Sequence, residues 1–156
     1  MIVQAEAEKA ARERAVFQNF IKICRLPIAP ESVESCKPPK PDILCVHDND
    51  GPVAFELVEI CDQSLAYGIA TTEKNKNRFL RGGGPWRDAL RKKFKTRYST
   101  EYPIELLCYT DARTLIPDDR ILAEICPLLE MNNGQFRRVW LRGDQCHVLW
   151  PVACDS

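Results

Sequence analysis

Two acidic residues in neighbouring apolar runs are the strongest sign of chemistry in this chain. Asp42 opens a short run over 42–47, and Glu56 lies inside a second run over 52–60. The Asp-Asn-Asp-Gly turn between the runs predicts a β-hairpin, whose register can bring the two carboxylates together. Two carboxylates with backbone carbonyls and waters are the usual holders of Mg²⁺. The alternative is that Asp42 caps the start of its strand while Glu56 meets an arginine.

The second apolar run predicts that Glu56 is buried. Side chains alternate along a strand, which gives one face of Ala54, Glu56, Val58 and Ile60 and another of Val53, Phe55, Leu57 and Glu59. A strand that is apolar on both faces is typical of a central, covered position. A carboxylate buried there is costly unless something pairs with it, and a metal ion would do so.

A strongly basic segment follows the hairpin. From Lys74 to Arg97 the chain has ten Lys and Arg residues and one acidic residue, Asp88, although the whole chain has no net charge. Such a segment is typical of a surface for polyanions, because each neutralised phosphate releases counterions. The residues that we expect to bind nucleic acid are Lys74, Lys76, Arg78, Arg81, Arg87, Arg91, Lys92 and Lys95. The alternative is a solvated helix behind a flexible loop.

An apolar stripe in this segment predicts a helix that begins at Pro85 and runs to about Tyr98. Trp86, Leu90 and Phe94 recur at four-residue spacing and are expected to face the core. The charged residues left on the other faces are Arg87, Arg91, Lys92 and Lys95.

The remaining patterns predict one mixed α/β domain over 1–156. The expected order is a helix over 5–23, the hairpin, a helix over 85–98, a strand over 104–109, a helix that begins at 117 and closes near 132–134, and a final hairpin of strands 137–142 and 146–150. A polar, proline-rich stretch over 31–41 predicts a loop or extended connector. We therefore expect a mixed central sheet flanked by helices.

The cysteines are expected to be reduced. The first residues are acidic and polar, unlike a signal peptide, and no apolar run is long enough to cross a membrane. We expect a cytoplasmic protein with no membrane partner. The cysteines with apolar neighbours are expected to be small buried hydrophobes, and they are Cys24, Cys45, Cys61, Cys108, Cys126 and Cys146. No pair has zinc-site spacing, so a zinc site is not expected.

These residues and the order of the elements resemble the PD-(D/E)XK nuclease superfamily. The resemblance depends on Pro41-Asp42, a hairpin of this length and Glu56-x-Val58, with a helix before them and a basic helix and a strand after them. It covers about 5–110 and implies a restriction-endonuclease-like αβββαβ core. Residues 111–156, with the last helix and hairpin, would then be a C-terminal elaboration.

The resemblance also implies the site residues. Asp42 and Glu56 match the two acidic ligands of a Mg²⁺ or Mn²⁺ ion, the main-chain carbonyl of Leu57 would be a third ligand, and Glu13 on the first helix would complete the set. The lysine expected two residues after Glu56 is replaced by Val58. Divergent members supply this lysine from the following helix, which leaves Lys74, Lys76, Lys92 and Lys93 open. We assign Lys92 to the catalytic set with Asp42 and Glu56.

The sequence thus leads to three hypotheses about function. The first is a metal-dependent hydrolase of nucleic-acid phosphodiesters that binds phosphates through 74–97. The second, favoured by Val58, is an inactive nuclease fold that binds nucleic acid or an acidic protein partner. The third is a small interaction or immunity-type protein whose basic surface meets an acidic protein.

Overall fold

The computed structural model describes residues 2–61, 85–110, 116–132 and 135–151. The helices in these ranges are α1 (Ile2–Ile23), α2 (Pro85–Lys95) and α3 (Asp118–Ile125), with 3₁₀ turns at Pro30–Ser32 and Cys126–Asn132. The strands are β1 (Glu34–Ser35), β2 (Ile43–His47), β3 (Gly51–Glu59), β4 (Ile104–Tyr109), β5 (Phe136–Arg142) and β6 (Cys146–Trp150). Among the helices described, none is long and apolar enough to span a membrane.

The described strands form one mixed sheet in the order β1 to β6. β1, β2 and β3 pair antiparallel, β3, β4 and β5 pair parallel, and β6 returns antiparallel to β5. The two predicted hairpins and the predicted strand over 104–109 are confirmed. These elements could be predicted because their turn residues and short apolar runs are local patterns in the sequence.

Helices cover both faces of the sheet. On one face, α1 packs Phe17 and Phe20 against Phe55, and the ring centroids of Phe17 and Phe55 are 4.7 Å apart. On the other face, α2 and α3 bury side chains such as Leu90 and Ile121. Alternate residues of β3 belong to the two cores, as its sequence predicted. The expected mixed sheet flanked by helices is therefore confirmed.

Three element boundaries differ from the prediction. β1 lies in the stretch predicted as a connector, and its two residues are too few to show a periodicity. α2 ends at Lys95, and the Lys92 carbonyl in its last turn accepts both the Thr96 N–H at 2.9 Å and the Thr96 hydroxyl at 2.7 Å. The helix predicted to close near 132–134 changes to a 3₁₀ turn at Cys126, since Pro127 has no N–H to donate.

The prediction for the cysteines is correct for some positions and wrong for others. Cys45 and Cys108 are fully buried, as expected. Cys24, just after α1, and Cys146, at the start of β6, instead form a disulfide, and Cys126 is exposed. The disulfide joins residues far apart in the chain that both pack against the core under α1, so no local pattern marks it.

Asp118, the first residue of α3, anchors the turn between β5 and β6. Its carboxylate accepts the N–H groups of Asp144 at 2.9 Å and Gln145 at 3.0 Å, and His147 Nε2 lies 3.0 Å away. Burial alone would raise the pKa of Asp118, but these hydrogen bonds outweigh burial and lower it.

We expect Asp118→Ala to lower the free energy of unfolding by about 1–2 kcal/mol, because two backbone N–H groups lose their acceptor. Urea denaturation measures the loss. Asp119→Ala removes an exposed carboxylate at the next position and should change the free energy by less than about 0.5 kcal/mol. An equal loss in the two variants would contradict the anchoring role.

Candidate active site

The β2–β3 hairpin brings Asp42 and Glu56 together where β2 begins. The paired register ends with Ile43 opposite Phe55, so Asp42 stands just outside the ladder. The Asp42 N–H donates to Glu56 Oε1 at 3.1 Å, and Asp42 Oδ2 accepts the Leu57 N–H at 3.0 Å. Each acidic side chain therefore takes the place of a ladder hydrogen bond beyond the start of the strand.

Lys93, on α2, brings a positive charge to this pair. Its Nζ lies 3.1 Å from Glu56 Oε2, and Glu56 is only 3 % exposed. α2 is held on the sheet by Leu90 and Phe94, which are buried in the core on this face. Lys93 follows Leu90 by three residues and shares its side of the helix, so the packing of α2 directs Lys93 at the hairpin.

Two further polar side chains reach the same place. Glu13, on α1, is buried and close enough to the Asp42 carboxylate for the negative charge of Asp42 to raise the pKa of Glu13. Tyr98, just after α2, has a buried hydroxyl beside Glu56, and this hydroxyl has no hydrogen bond of good geometry among the residues described. We call Glu13, Asp42, Glu56 and Lys93 the carboxylate cluster.

Burial and mutual repulsion raise the pKa of both glutamates in the carboxylate cluster. Burial is the larger cause, and the negative charge of Asp42 adds to it, so that the pKa of Glu13 and that of Glu56 rise to about 7. Lys93 opposes both shifts without cancelling them. Burial, together with Glu56, also raises the pKa of Tyr98 and keeps its hydroxyl protonated. Ionisation of both glutamates would build up negative charge in the cluster, and a bound cation would favour that ionisation.

We expect the free energy of unfolding to fall as the pH rises from about 4.5 to about 7 in the presence of EDTA. In this range Glu13 keeps a proton in the folded protein that the unfolded chain has released, so each rise in pH removes stability. In Glu13→Gln the free energy of unfolding should depend less on pH. Above about pH 7 this variant should be more stable than the wild type. Urea denaturation at a series of pH values measures this dependence, and Glu8→Gln, at an exposed position of α1, is the control. An unchanged slope in Glu13→Gln would contradict the shift.

The donor atoms suit a hard divalent cation. Carboxylate and carbonyl oxygens are the ligands that Mg²⁺ and Mn²⁺ prefer. The N–H and C=O groups of one strand residue point to the same side, so the Leu57 carbonyl faces the side on which Asp42 lies. Across the described ranges, no three His, Cys, Asp or Glu side chains are arranged to hold a metal ion. A metal ion bound by Asp42 and Glu56 would compete with the backbone N–H groups that their carboxylates accept.

The structure describes only part of the predicted basic surface. The expected ligands Lys74, Lys76, Arg78 and Arg81 lie outside the described residues. On α2, Arg87 and Arg91 are half-buried, and Lys92 and Lys95 are exposed. Arg91 Nη1 also pairs with Asp88 Oδ1 at 2.9 Å. The exposed charge that remains along α2 is therefore positive.

The lysine beside Glu56 is Lys93, whereas Lys92, which the sequence analysis assigned to the catalytic set, is exposed. The signal that separates the two was present in the sequence. Lys93 precedes Phe94 at the edge of the buried stripe, and Lys92 points away from it. Tyr98 was not predicted as a site residue, and it has no local signal because the turn after α2 brings it to Glu56.

Comparison with protein-family models, with curated proteins and with solved structures finds no match to this chain. The case for a function therefore depends on the geometry of the carboxylate cluster and on the charge of α2.

Proposed function

We propose that this protein hydrolyses phosphodiester bonds of nucleic acid with the help of a divalent metal ion, and that the carboxylate cluster is its active site. The observation that carries the proposal is the 3.1 Å distance between Lys93 Nζ and Glu56 Oε2. The resemblance to PD-(D/E)XK nucleases requires a lysine near this glutamate, and Val58, at the usual position, is buried in the core. Lys93 supplies from α2 the charge that Val58 lacks.

The order of the described elements supports the same proposal. α1, β1, β2, β3, α2 and β4 follow one another in the αβββαβ order that the resemblance implies, and β3 and β4 are parallel. α1 contributes Glu13, the hairpin contributes Asp42 and Glu56, and α2 contributes Lys93. α3, β5 and β6 would then be the C-terminal elaboration.

Asp42, Glu56 and the Leu57 carbonyl would hold Mg²⁺ or Mn²⁺, with Glu13 completing the set. A metal ion there supplies polarisation of the phosphate and a lowered pKa for a water molecule. The donor chemistry fits, since all four groups offer oxygen. The charge fits as well, because burial and the charge of Asp42 disfavour the ionised forms of Glu13 and Glu56, as their raised pKa values indicate.

The chain itself contributes charge and orientation. The Lys93 ammonium stabilises negative charge that develops on a phosphate held beside the cluster. Glu56 orients this ammonium through their ion pair. Lys92, Lys95 and Arg97 are exposed on and just after α2, and they attract the phosphate backbone without reading its sequence.

A cleavage assay tests the proposal, with plasmid, linear duplex and single-stranded substrates, Mg²⁺ or Mn²⁺, and an EDTA control. We expect the wild-type protein to cut in the presence of metal and not in EDTA. Asp42→Ala should fall to the EDTA background while it still binds nucleic acid, because the basic surface is unchanged. Asp48→Ala, which removes an exposed carboxylate from the turn of the same hairpin, should keep full activity.

Cleavage at the wild-type rate by Asp42→Ala would remove the proposed mechanism. A folded wild-type protein that cuts no substrate with either metal would instead favour a binding module for nucleic acid or for an acidic protein. Competition by unrelated DNA separates these two partners, since phosphate contacts are independent of sequence. The cytoplasmic location stays a prediction.

A further inference from the structure

A cavity lies directly beside the carboxylate cluster. Its volume is about 680 Å³, inside the range of roughly 300–1,000 Å³ that is usual for small-molecule sites, and it is open to solvent. Pro41 and Ile43, the two neighbours of Asp42, line it, and so does Tyr98. The cavity and the carboxylate cluster therefore share a wall. We call this cavity the Tyr102 pocket, after one of the two tyrosines that line it.

The Tyr102 pocket is lined by both apolar and polar side chains. Leu44 and Ala54 line it from β2 and β3, on the face of the sheet where α2 packs. The segment after α2 forms another wall, to which Ser99, Thr100 and Tyr102 contribute. A hydrogen bond of 2.9 Å from the Ser99 N–H to the Pro39 carbonyl fixes this wall to the loop before β2.

The charged residues of the lining are Lys40 and Glu101. Lys40 stands two residues before Asp42 and adds a positive charge to the lining, and Lys93 adds one beside Glu56 in the neighbouring cluster. The lining thus offers two aromatic rings, hydroxyl groups, a cation and the Glu101 carboxylate within one concave site.

We propose that the Tyr102 pocket takes an unpaired nucleobase of the strand that is cut, so that the substrate is single-stranded or locally unpaired. This inference rests on the proposed function. Tyr102 offers a ring on which a base can stack, Ser99 and Thr100 offer hydrogen bonds to its edge, and Lys40 offers a charge to the adjoining phosphate. A base inside a duplex is paired and is stacked on both sides, so it cannot enter the pocket.

Binding in EDTA tests the proposal without any cleavage. The probes are a single-stranded DNA oligonucleotide of about 12 nucleotides and an abasic oligonucleotide with the same phosphates. We expect Tyr102→Ala to weaken binding of the normal oligonucleotide by about 5- to 150-fold and to leave binding of the abasic one unchanged. Tyr102→Phe keeps the ring and should bind both as the wild type does.

Cys36 gives a second readout, because its side chain lines the pocket and is partly accessible. Alkylation of Cys36, followed by peptide mass analysis, should slow at least about fivefold when the normal oligonucleotide is bound, as expected for a stacked base of about 1 kcal/mol or more. The abasic oligonucleotide should not protect it. The exposed Cys126 lies outside the pocket lining and is the internal control, whose rate should not change.

The outcomes separate this inference from the proposed function. Equal affinity for the two oligonucleotides, together with equal alkylation of Cys36, would overturn the base pocket and leave the nuclease proposal standing. No measurable binding of either oligonucleotide would overturn both. Tighter binding of duplex than of single strands of the same length would also overturn the base pocket.

Discussion

Lys93→Met is expected to lower the rate of metal-dependent cleavage by about 10²–10³-fold, the usual effect of removing one stabilising group from an active site. Methionine keeps the apolar stem of the side chain, so the packing of α2 around Leu90 is retained. The ammonium beside Glu56 Oε2 is lost. Glu56 can then take up a proton, because burial already raises its pKa, and the fold should tolerate the substitution.

Lys92→Met is the matched control for this prediction. It removes the same charge from the exposed neighbouring position, so both variants should lose a similar, small part of their affinity for nucleic acid. Single-turnover cleavage at saturating enzyme separates this loss of binding from a loss of chemistry. An active Lys93→Met beside an inactive Lys92→Met would return the catalytic role to Lys92.

The second large effect is expected at Glu105, in β4, which is 2 % exposed. Arg137 Nη2 lies 2.6 Å from Glu105 Oε2, Arg138 Nη1 lies 3.2 Å from the same oxygen, and Trp140 Nε1 donates to Oε1 at 2.7 Å. One carboxylate therefore satisfies three side chains of β5. Arg137 also pairs with Asp50 at 3.2 Å, which connects β5 to the turn of the β2–β3 hairpin.

We expect Glu105→Ala to lower the free energy of unfolding by about 3 kcal/mol. Removing one partner of a buried ion pair costs about 3–5 kcal/mol, and the lower value applies because both arginines stay about one third exposed and keep part of their hydration. Urea denaturation measures the loss. Glu101→Ala, which removes an exposed carboxylate just before β4, is the control and should change the free energy by less than about 0.5 kcal/mol. A loss below about 1 kcal/mol in Glu105→Ala would contradict the role of this ion pair.

The hairpin that carries Asp42 and Glu56 was predictable, because its signals are local. A four-residue turn, two apolar runs and the alternation along β3 all lie within one stretch of sequence. Only the register depends on the fold. It brings the two acidic residues together, as the hypothesis of a metal site required. The other alternative is wrong about the arginine, because the partner of Glu56 is Lys93, whereas its placement of Asp42 as a cap at the start of the strand agrees with the Leu57 N–H that Asp42 accepts.

Contacts between distant parts of the chain could not be predicted in this way. Glu105 is a polar residue in an apolar strand, and its sequence context does not show that β5 will supply two arginines and a tryptophan. The disulfide between Cys24 and Cys146 has a sequence separation of 122, and each cysteine has ordinary apolar neighbours. Lys93 is an intermediate case, since the helical stripe marks its side of α2 but not the strand that it reaches.

The hydrogen bond between Leu57 and Asp42 favours the correct register of the β2–β3 hairpin during folding. A strand pairing shifted by one residue would send Glu56 to the face of α1 and would separate it from Lys93. The hydrogen bond from the Leu57 N–H to Asp42 Oδ2 stabilises the correct pairing at the open end of the hairpin. The same carboxylate thus enforces the register and belongs to the candidate site, so a misregistered molecule would be inactive as well as less stable. If the protein is active, its specific activity would then report the fraction of molecules with the correct strand register.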